Sequence, residues 1–135
     1  MNDLYNSNIP YPECDAKNIF VRDDKKQKYY LITVKGNKKV NLKNFRKLHN
    51  TRPLSFANET ELFEKLNLHP GSVTPFGLLN NTQKDVEFFI DKSFWQNSNM
   101  IGIHPNINTA TVWLNVDDLI KLLKDDEHNI FIDQL

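Results

Sequence analysis

The feature that most restricts the fold of this 135-residue chain is a run at residues 70–77, which holds two prolines and two of the chain's four glycines. Proline fixes φ and removes a backbone donor, and glycine allows sharp turns, so such a run interrupts regular helices and strands. We therefore predict a shaped loop that presents its own N–H and C=O groups to a ligand. An ordinary tight turn between a helix and a strand has a similar composition, and that alternative stays open.

Composition predicts one soluble globular domain, since 39% of the residues are hydrophobic and 25% are charged. The longest apolar runs, such as residues 88–90, are too short to cross a bilayer, and no signal segment opens the chain, so we expect a cytoplasmic protein without membrane contact. The single cysteine, Cys14, cannot form an internal disulfide, and the four histidines lack the spacing of a zinc site. We expect no metal and no cofactor.

The formal net charge of zero hides an uneven distribution. Residues 17–52 contain twelve lysines and arginines against two acidic residues, Asp23 and Asp24, whereas acidic residues dominate elsewhere. Such a split predicts a basic face for a polyphosphate partner such as RNA. The alternative is a solvated basic hairpin that acidic helices neutralise in the fold.

Apolar periodicity and turn residues predict a mixture of short strands and helices. We predict strands at 18–22, 28–34, 53–56, 77–79, 85–90, 100–103 and 109–114, with a short helix through Leu42, Phe45 and Leu48. A capping box of Asn58 and Glu61 predicts a second helix with Leu62, Phe63 and Leu66 on its apolar face, and Asn115 predicts a third through Lys124.

These elements show no regular βαβ repeat, and residues 1–15 lack periodicity. They predict an α+β fold, a single domain with a mixed, mainly antiparallel sheet flanked by short helices, after an irregular N-terminal lead-in at 1–15.

Three motifs in this order resemble the YbaK-like aminoacyl-tRNA editing domains: Lys17-Asn18-Ile19-Phe20, the Gly71 to Pro75 loop, and His104-Pro105-Asn106. The resemblance is strongest to the free-standing bacterial prolyl-tRNA editing proteins, which hydrolyse Ala-tRNA(Pro), and it extends over about residues 17–135. Members of that family usually carry a helix and a strand ahead of the Lys-Asn motif. The short lead-in suggests that a sheet edge or a pocket wall is missing or comes from a second copy.

The resemblance implies hydrolysis of an aminoacyl ester by water or by a ribose hydroxyl, with fixed N–H donors stabilising the charge that develops on the carbonyl oxygen. It implies Lys17 and Gly71 as catalytic residues, with Lys17 at the ester and phosphate end of the substrate. The implied substrate-binding residues are Asn18, Arg22, Ser72, Val73, Thr74, Pro75 and His104. Arg22 stands where many relatives carry lysine, and Asn18 could instead satisfy local backbone.

The sequence thus predicts a trans-editing deacylase of mischarged tRNA(Pro), above all Ala-tRNA(Pro), that contacts the acceptor end of the tRNA. Prolyl-tRNA synthetase and a second copy of the chain are further candidate partners. Two alternatives remain: a non-catalytic member of the fold that binds RNA or a nucleotide, and a deacylase for another small aminoacyl group such as Cys or Ser.

Overall fold

The computed structural model describes residues 16–36, 38–70, 73–96, 99–103 and 112–135. The predicted lead-in at 1–15 lies outside these residues. The strands are β1 (Ala16–Asp23), β2 (Tyr29–Lys35), β3 (Leu54–Phe56), β4 (Val86–Asp91), β5 (Met100–Ile103), β6 (Val112–Asn115) and β7 (Ile130–Asp133). The α-helices are α1 (Leu42–His49), α2 (Glu59–Leu66) and α3 (Val116–Asp125), and two 3-10 helices span Pro75–Asn80 and Lys92–Trp95.

Five strands form one mixed sheet in the order β3-β1-β2-β4-β7. The pairs β3/β1 and β1/β2 are antiparallel, whereas β2/β4 and β4/β7 are parallel. Strands β5 and β6 form a separate antiparallel pair. The predicted α+β class with a mixed sheet and short flanking helices is confirmed, and antiparallel pairs are in the majority when both sheets are taken together.

Both faces of the large sheet are covered, so the chain builds two apolar clusters. On one face Phe20 and Leu31 pack with Leu66 of α2 and Leu119 of α3. On the other face β2 and β4 pack against Phe45 of α1, in a cluster that contains Val21, Tyr30, Ile32, Val34 and Phe89. Since side chains alternate along a strand, neighbouring residues of β1 contribute to different clusters.

Asparagine residues cap both ends of α1 and of α2. Asn41 accepts hydrogen bonds from the N–H groups of Lys43 and Asn44 at the start of α1, and Asn58 forms the predicted capping box with Glu61. At the other ends, Asn50 and Asn67 close α1 and α2 in the left-handed conformation, with φ of 53° and 57°. Asparagine tolerates this conformation better than most residues.

Two sequence predictions are wrong. Residues 77–79 are not a strand but part of the 3-10 helix Pro75–Asn80, because Thr74 caps its first turn and Pro75 starts it with a suitable φ. Phe63 is not buried but 51% exposed, because Leu62 and Leu66, four residues apart, take the inner face of α2 and turn Phe63 towards His69. Strand β7 and the 3-10 helix Lys92–Trp95 were not predicted.

The other predicted elements agree with the structure within a few residues, except that positions 109–111 of the predicted strand at 109–114 lie outside the described residues. No helix in the described ranges is long and apolar enough to cross a membrane.

An ion pair joins the chain just after β2 to the end of β4. The Lys38 ammonium lies 2.6 Å from the carboxylate of Asp91, which is fully buried and also accepts the N–H of Ser93. Burial alone would raise the pKa of Asp91, but the hydrogen bonds from Lys38 and Ser93 outweigh it, so the pKa is lowered. The pair's stabilisation is therefore present above the ordinary aspartate pKa and is lost as the pH falls through the lowered one.

We predict that Lys38→Met lowers the free energy of unfolding at pH 7 by about 2 kcal/mol, because it leaves the buried Asp91 carboxylate without its cation. The loss should be smaller at pH 3, because the buried Asp91 of the variant, left without its cation, is protonated there and no longer carries an unpaired charge. Urea unfolding at the two pH values measures both effects. Lys39→Met, at an exposed neighbouring lysine, is the matched control. Equal stability of the two variants at pH 7 would contradict the assignment.

Candidate functional site

Asn18 ties the loop after α2 to the central hairpin. Its side-chain amide donates a hydrogen bond to the carbonyl of Val73 at 3.2 Å, and its Oδ1 accepts one from the hydroxyl of Thr33 at 2.6 Å. Thr33 lies opposite Asn18 in the β1/β2 ladder and is fully buried. The amide of Asn18 therefore positions the loop, which matches the backbone alternative for this residue.

The described end of the loop is well packed. Thr74 and Pro75 are buried, and the Thr74 hydroxyl accepts the N–H of Phe76 at 3.3 Å while its carbonyl accepts the N–H of Gly77 at 3.0 Å. Because the Thr74 side chain is used inside the fold, its part in any site is to shape the loop. The other loop residues singled out from sequence, Gly71 and Ser72, and also His104, lie outside the described residues, so their roles stay predictions.

A cavity of about 470 Å³ opens beside this loop. Phe20, Ala57 and Leu62 give it apolar walls, and Asn18 and Val73 border it next to their mutual hydrogen bond. Its lining also includes Ile19, Phe56, Asn58, Glu59 and Pro70. Mostly apolar clefts of this size, with a few polar groups, are typical of small-molecule and cofactor sites.

Lys17 directly precedes Asn18 in the sequence, but unlike Asn18 it is not one of the described residues that line the cavity. Its side chain is exposed at the start of β1, and alternation along the strand directs it to the face opposite Asn18. No ion pair among the described residues includes Lys17, so its charge is available to a ligand that approaches the end of β1. The catalytic role that the resemblance implies for Lys17 stays a prediction.

Arg22 has a partner inside the protein. Its Nε lies 2.9 Å from Glu61 Oε2, and Glu61 also accepts the N–H of Asn58 at 2.9 Å and the hydroxyl of Tyr29 at 3.4 Å. Burial would raise the pKa of Glu61, but the hydrogen bonds from Asn58 and Arg22 lower it. Arg22 thus holds the start of α2, which forms one wall of the cavity, against β1.

Sequence reasoning missed the partner of Arg22 and the walls supplied by Phe56 and Ala57. The capping box had already marked Glu61, but nothing local links it to an arginine 39 residues away. For metals, no group of three or more histidine, cysteine, aspartate or glutamate side chains in the described ranges could hold an ion.

The mixed sheet with two covered faces also occurs in solved structures. One is a crystal structure of a proposed trans-editing enzyme for prolyl tRNA synthetase, with a TM-score of 0.68 at 18% identity, over 87% of this chain and 68% of the other. At this identity the likeness shows the fold.

Sequence comparison identifies the family. The model for the aminoacyl-tRNA editing domain matches residues 7–122, and the chain belongs to this family. It is 40% identical over 109 residues to the prolyl-tRNA editing protein ProX of Acetoanaerobium sticklandii, covering 81% of this chain and 66% of that protein. It is 33% identical to the prolyl-tRNA synthetase associated domain-containing protein 1 of Mus musculus, covering 87% and 70%. The chain thus spans about two thirds of the length of these relatives.

We predict that Thr33→Val loosens the loop, because it removes the hydroxyl that holds the Asn18 amide while keeping the shape of the side chain. The free energy of unfolding should fall by about 1 kcal/mol. Hydrogen exchange should quicken at the N–H groups of Phe76 and Gly77, which bond to Thr74. Thr82→Val, at an exposed threonine, is the control. Unchanged exchange at both N–H groups would show that Asn18 does not depend on Thr33.

Proposed function

We propose that this chain hydrolyses the ester bond of mischarged tRNA(Pro), with Ala-tRNA(Pro) as its main substrate. The observation that carries the proposal is the cavity beside the loop, with Asn18 and Val73 hydrogen-bonded at its border, in a chain of the aminoacyl-tRNA editing domain family. The names of its relatives associate them with prolyl-tRNA editing and prolyl-tRNA synthetase.

In the proposed reaction, water attacks the ester carbonyl, either directly or with a ribose hydroxyl of the substrate accepting its proton. The bond between the carbonyl carbon and the ribose oxygen breaks, the ribose oxygen takes up a proton, and the free amino acid leaves. Backbone N–H groups of the Gly71 to Pro75 loop stabilise the negative charge on the carbonyl oxygen, a contribution of about 3 kcal/mol for each well-placed donor. The hydrogen bond from Asn18 to Val73 supports this role, because it fixes one end of the loop before substrate binds.

The proposed roles of the side chains differ in kind. Lys17 acts through its charge on the ester and phosphate end of the substrate. Val73 borders the space for the aminoacyl group, and His104, with Ser72, confines it. Asn18, Arg22, Thr74 and Pro75 act through the position of the loop and of α2, as their hydrogen bonds and burial indicate.

A second candidate function is RNA binding without hydrolysis. The observation that favours it is the position of Lys17, whose place on β1 turns it away from the face of Asn18. Hydrolysis of another small aminoacyl group, such as Cys or Ser, is a variant of the first proposal.

For the cellular setting, we propose a cytoplasmic protein that acts on the acceptor end of tRNA. Prolyl-tRNA synthetase and a second copy of this chain are its proposed protein partners. A lead-in at 1–15 before an editing domain at 16–135 is the proposed division of the chain.

A single-turnover deacylation assay separates these functions. We predict that the protein cleaves Ala-tRNA(Pro) faster than Cys- or Ser-charged tRNA, and that Lys17→Ala lowers the rate at least tenfold without lowering the melting temperature, because an exposed strand-end lysine contributes little to folding. Lys124→Ala, at an exposed lysine of α3, should keep the wild-type rate. Absence of cleavage for every tRNA would favour the binding function, and equal rates for Lys17→Ala and wild type would remove Lys17 from the reaction.

We predict that His104→Ala raises the ratio of Pro-tRNA(Pro) to Ala-tRNA(Pro) cleavage, even where both rates fall. Forcing the larger proline ring into a rigid site costs about 1–3 kcal/mol, and a smaller residue at 104 should relieve that cost. Parallel deacylation of the two substrates measures the ratio. A constant ratio with a lower absolute rate would mean that His104 orients the substrate or takes part in catalysis, and that other residues exclude proline by size.

A further inference from the structure

Helix α1 carries a polar and basic row on its outer side. Lys43, Arg46, Lys47 and Asn50 stand at positions i, i+3, i+4 and i+7, so they share one helix face. All four are exposed, and with Thr51 they line a groove of about 490 Å³. We call these five residues the basic groove.

Helix stability does not account for this row. Basic residues in the last turn, such as Arg46 and Lys47, interact favourably with the negative end of the helix dipole. Lys43 lies in the first turn, where the dipole disfavours a cation, and no acidic residue accompanies it there. The row therefore accumulates positive charge beyond what the helix needs.

The structure also shows which lysines and arginines of residues 17–52 form ion pairs with acidic residues of the protein itself. Arg22 pairs with Glu61, Lys38 with Asp91, and Arg52 with Asp24. These three cations are committed to the fold. The bases of the basic groove are not in the ion pairs formed by the described residues, so their charge is available to an outside partner.

The basic groove is also close to the cavity along the chain. Thr51 belongs to the groove, and five residues later Phe56 of β3 borders the cavity. Five residues span at most about 17 Å, so one ligand of moderate length can touch both places.

From these observations we propose that the basic groove binds backbone phosphates of an RNA, at the acceptor stem of the tRNA whose ester end enters the cavity. Lysine and arginine, together with the side-chain amide of Asn50, are typical phosphate ligands. This inference rests on the proposed function for the identity of the RNA. It divides the molecule into a phosphate-binding helix and a separate cavity for the ester.

The test is the salt dependence of binding to a tRNA(Pro) transcript that carries no amino acid. In the Lys43→Gln/Lys47→Gln double variant, which replaces two good helix formers by another, the slope of log K against log salt should fall by about one unit per lost phosphate contact. At 0.15 M salt, two lost contacts correspond to about thirtyfold weaker binding. The matched control is Lys121→Gln/Lys124→Gln on the outside of α3, with the same change in net charge.

The outcomes are distinct. An unchanged slope in the groove variant would overturn the inference and leave an acidic protein surface as the partner. Equal losses in both double variants would also overturn it, since net charge alone would explain them. Because the transcript has no ester, the binding result does not depend on hydrolysis. A wild type that cleaves no mischarged tRNA would refute the proposed function, and the slope would still report on the groove.

Discussion

Strand β2 lies in the middle of the five-stranded sheet, and each of its residues from Tyr29 to Val34 is buried. A strand buried on both sides needs a cover on each face of the sheet. Helix α1 supplies one cover, and α2 with α3 supplies the other. The remaining architecture follows from this requirement, because the connections must carry the chain from one face of the sheet to the other and back.

The candidate site lies where one of these connections, the loop after α2, returns to the large sheet. The chain leaves α2 and passes β1 at the height of Asn18, whose amide links it to Thr33 in the buried strand. A hydrogen bond between a buried hydroxyl and an amide is sensitive to geometry, and the loss of one partner leaves the other buried group without a hydrogen bond. The position of the loop at Val73 is therefore set by its link to the hairpin.

Local signals were enough to predict much of this fold. The capping box of Asn58 and Glu61, the cap at Asn115 and the short apolar run of β1 act over a few residues, and the structure confirms the elements that they predict. What the sequence did not reveal depends on distant contacts. Thr74 caps a 3-10 helix where leucines suggested a strand, and Arg22 pairs with a glutamate 39 residues on. The motif residues Lys17 and Asn18 were singled out together, but only Asn18 borders the cavity.

Strand β3 is short, yet it is held to β1 at each of its three positions, from Leu54 opposite Asp23 to Phe56 opposite Val21. It leads from the proposed phosphate-binding helix to the wall of the cavity. Because β3 is paired with β1 along its whole length, it keeps the distance between the end of α1 and the cavity wall constant. Under the proposed function, the molecule would measure how far the ester of an RNA stands from its stem, and an acceptor end of the wrong length would miss the cavity even with the right amino acid attached.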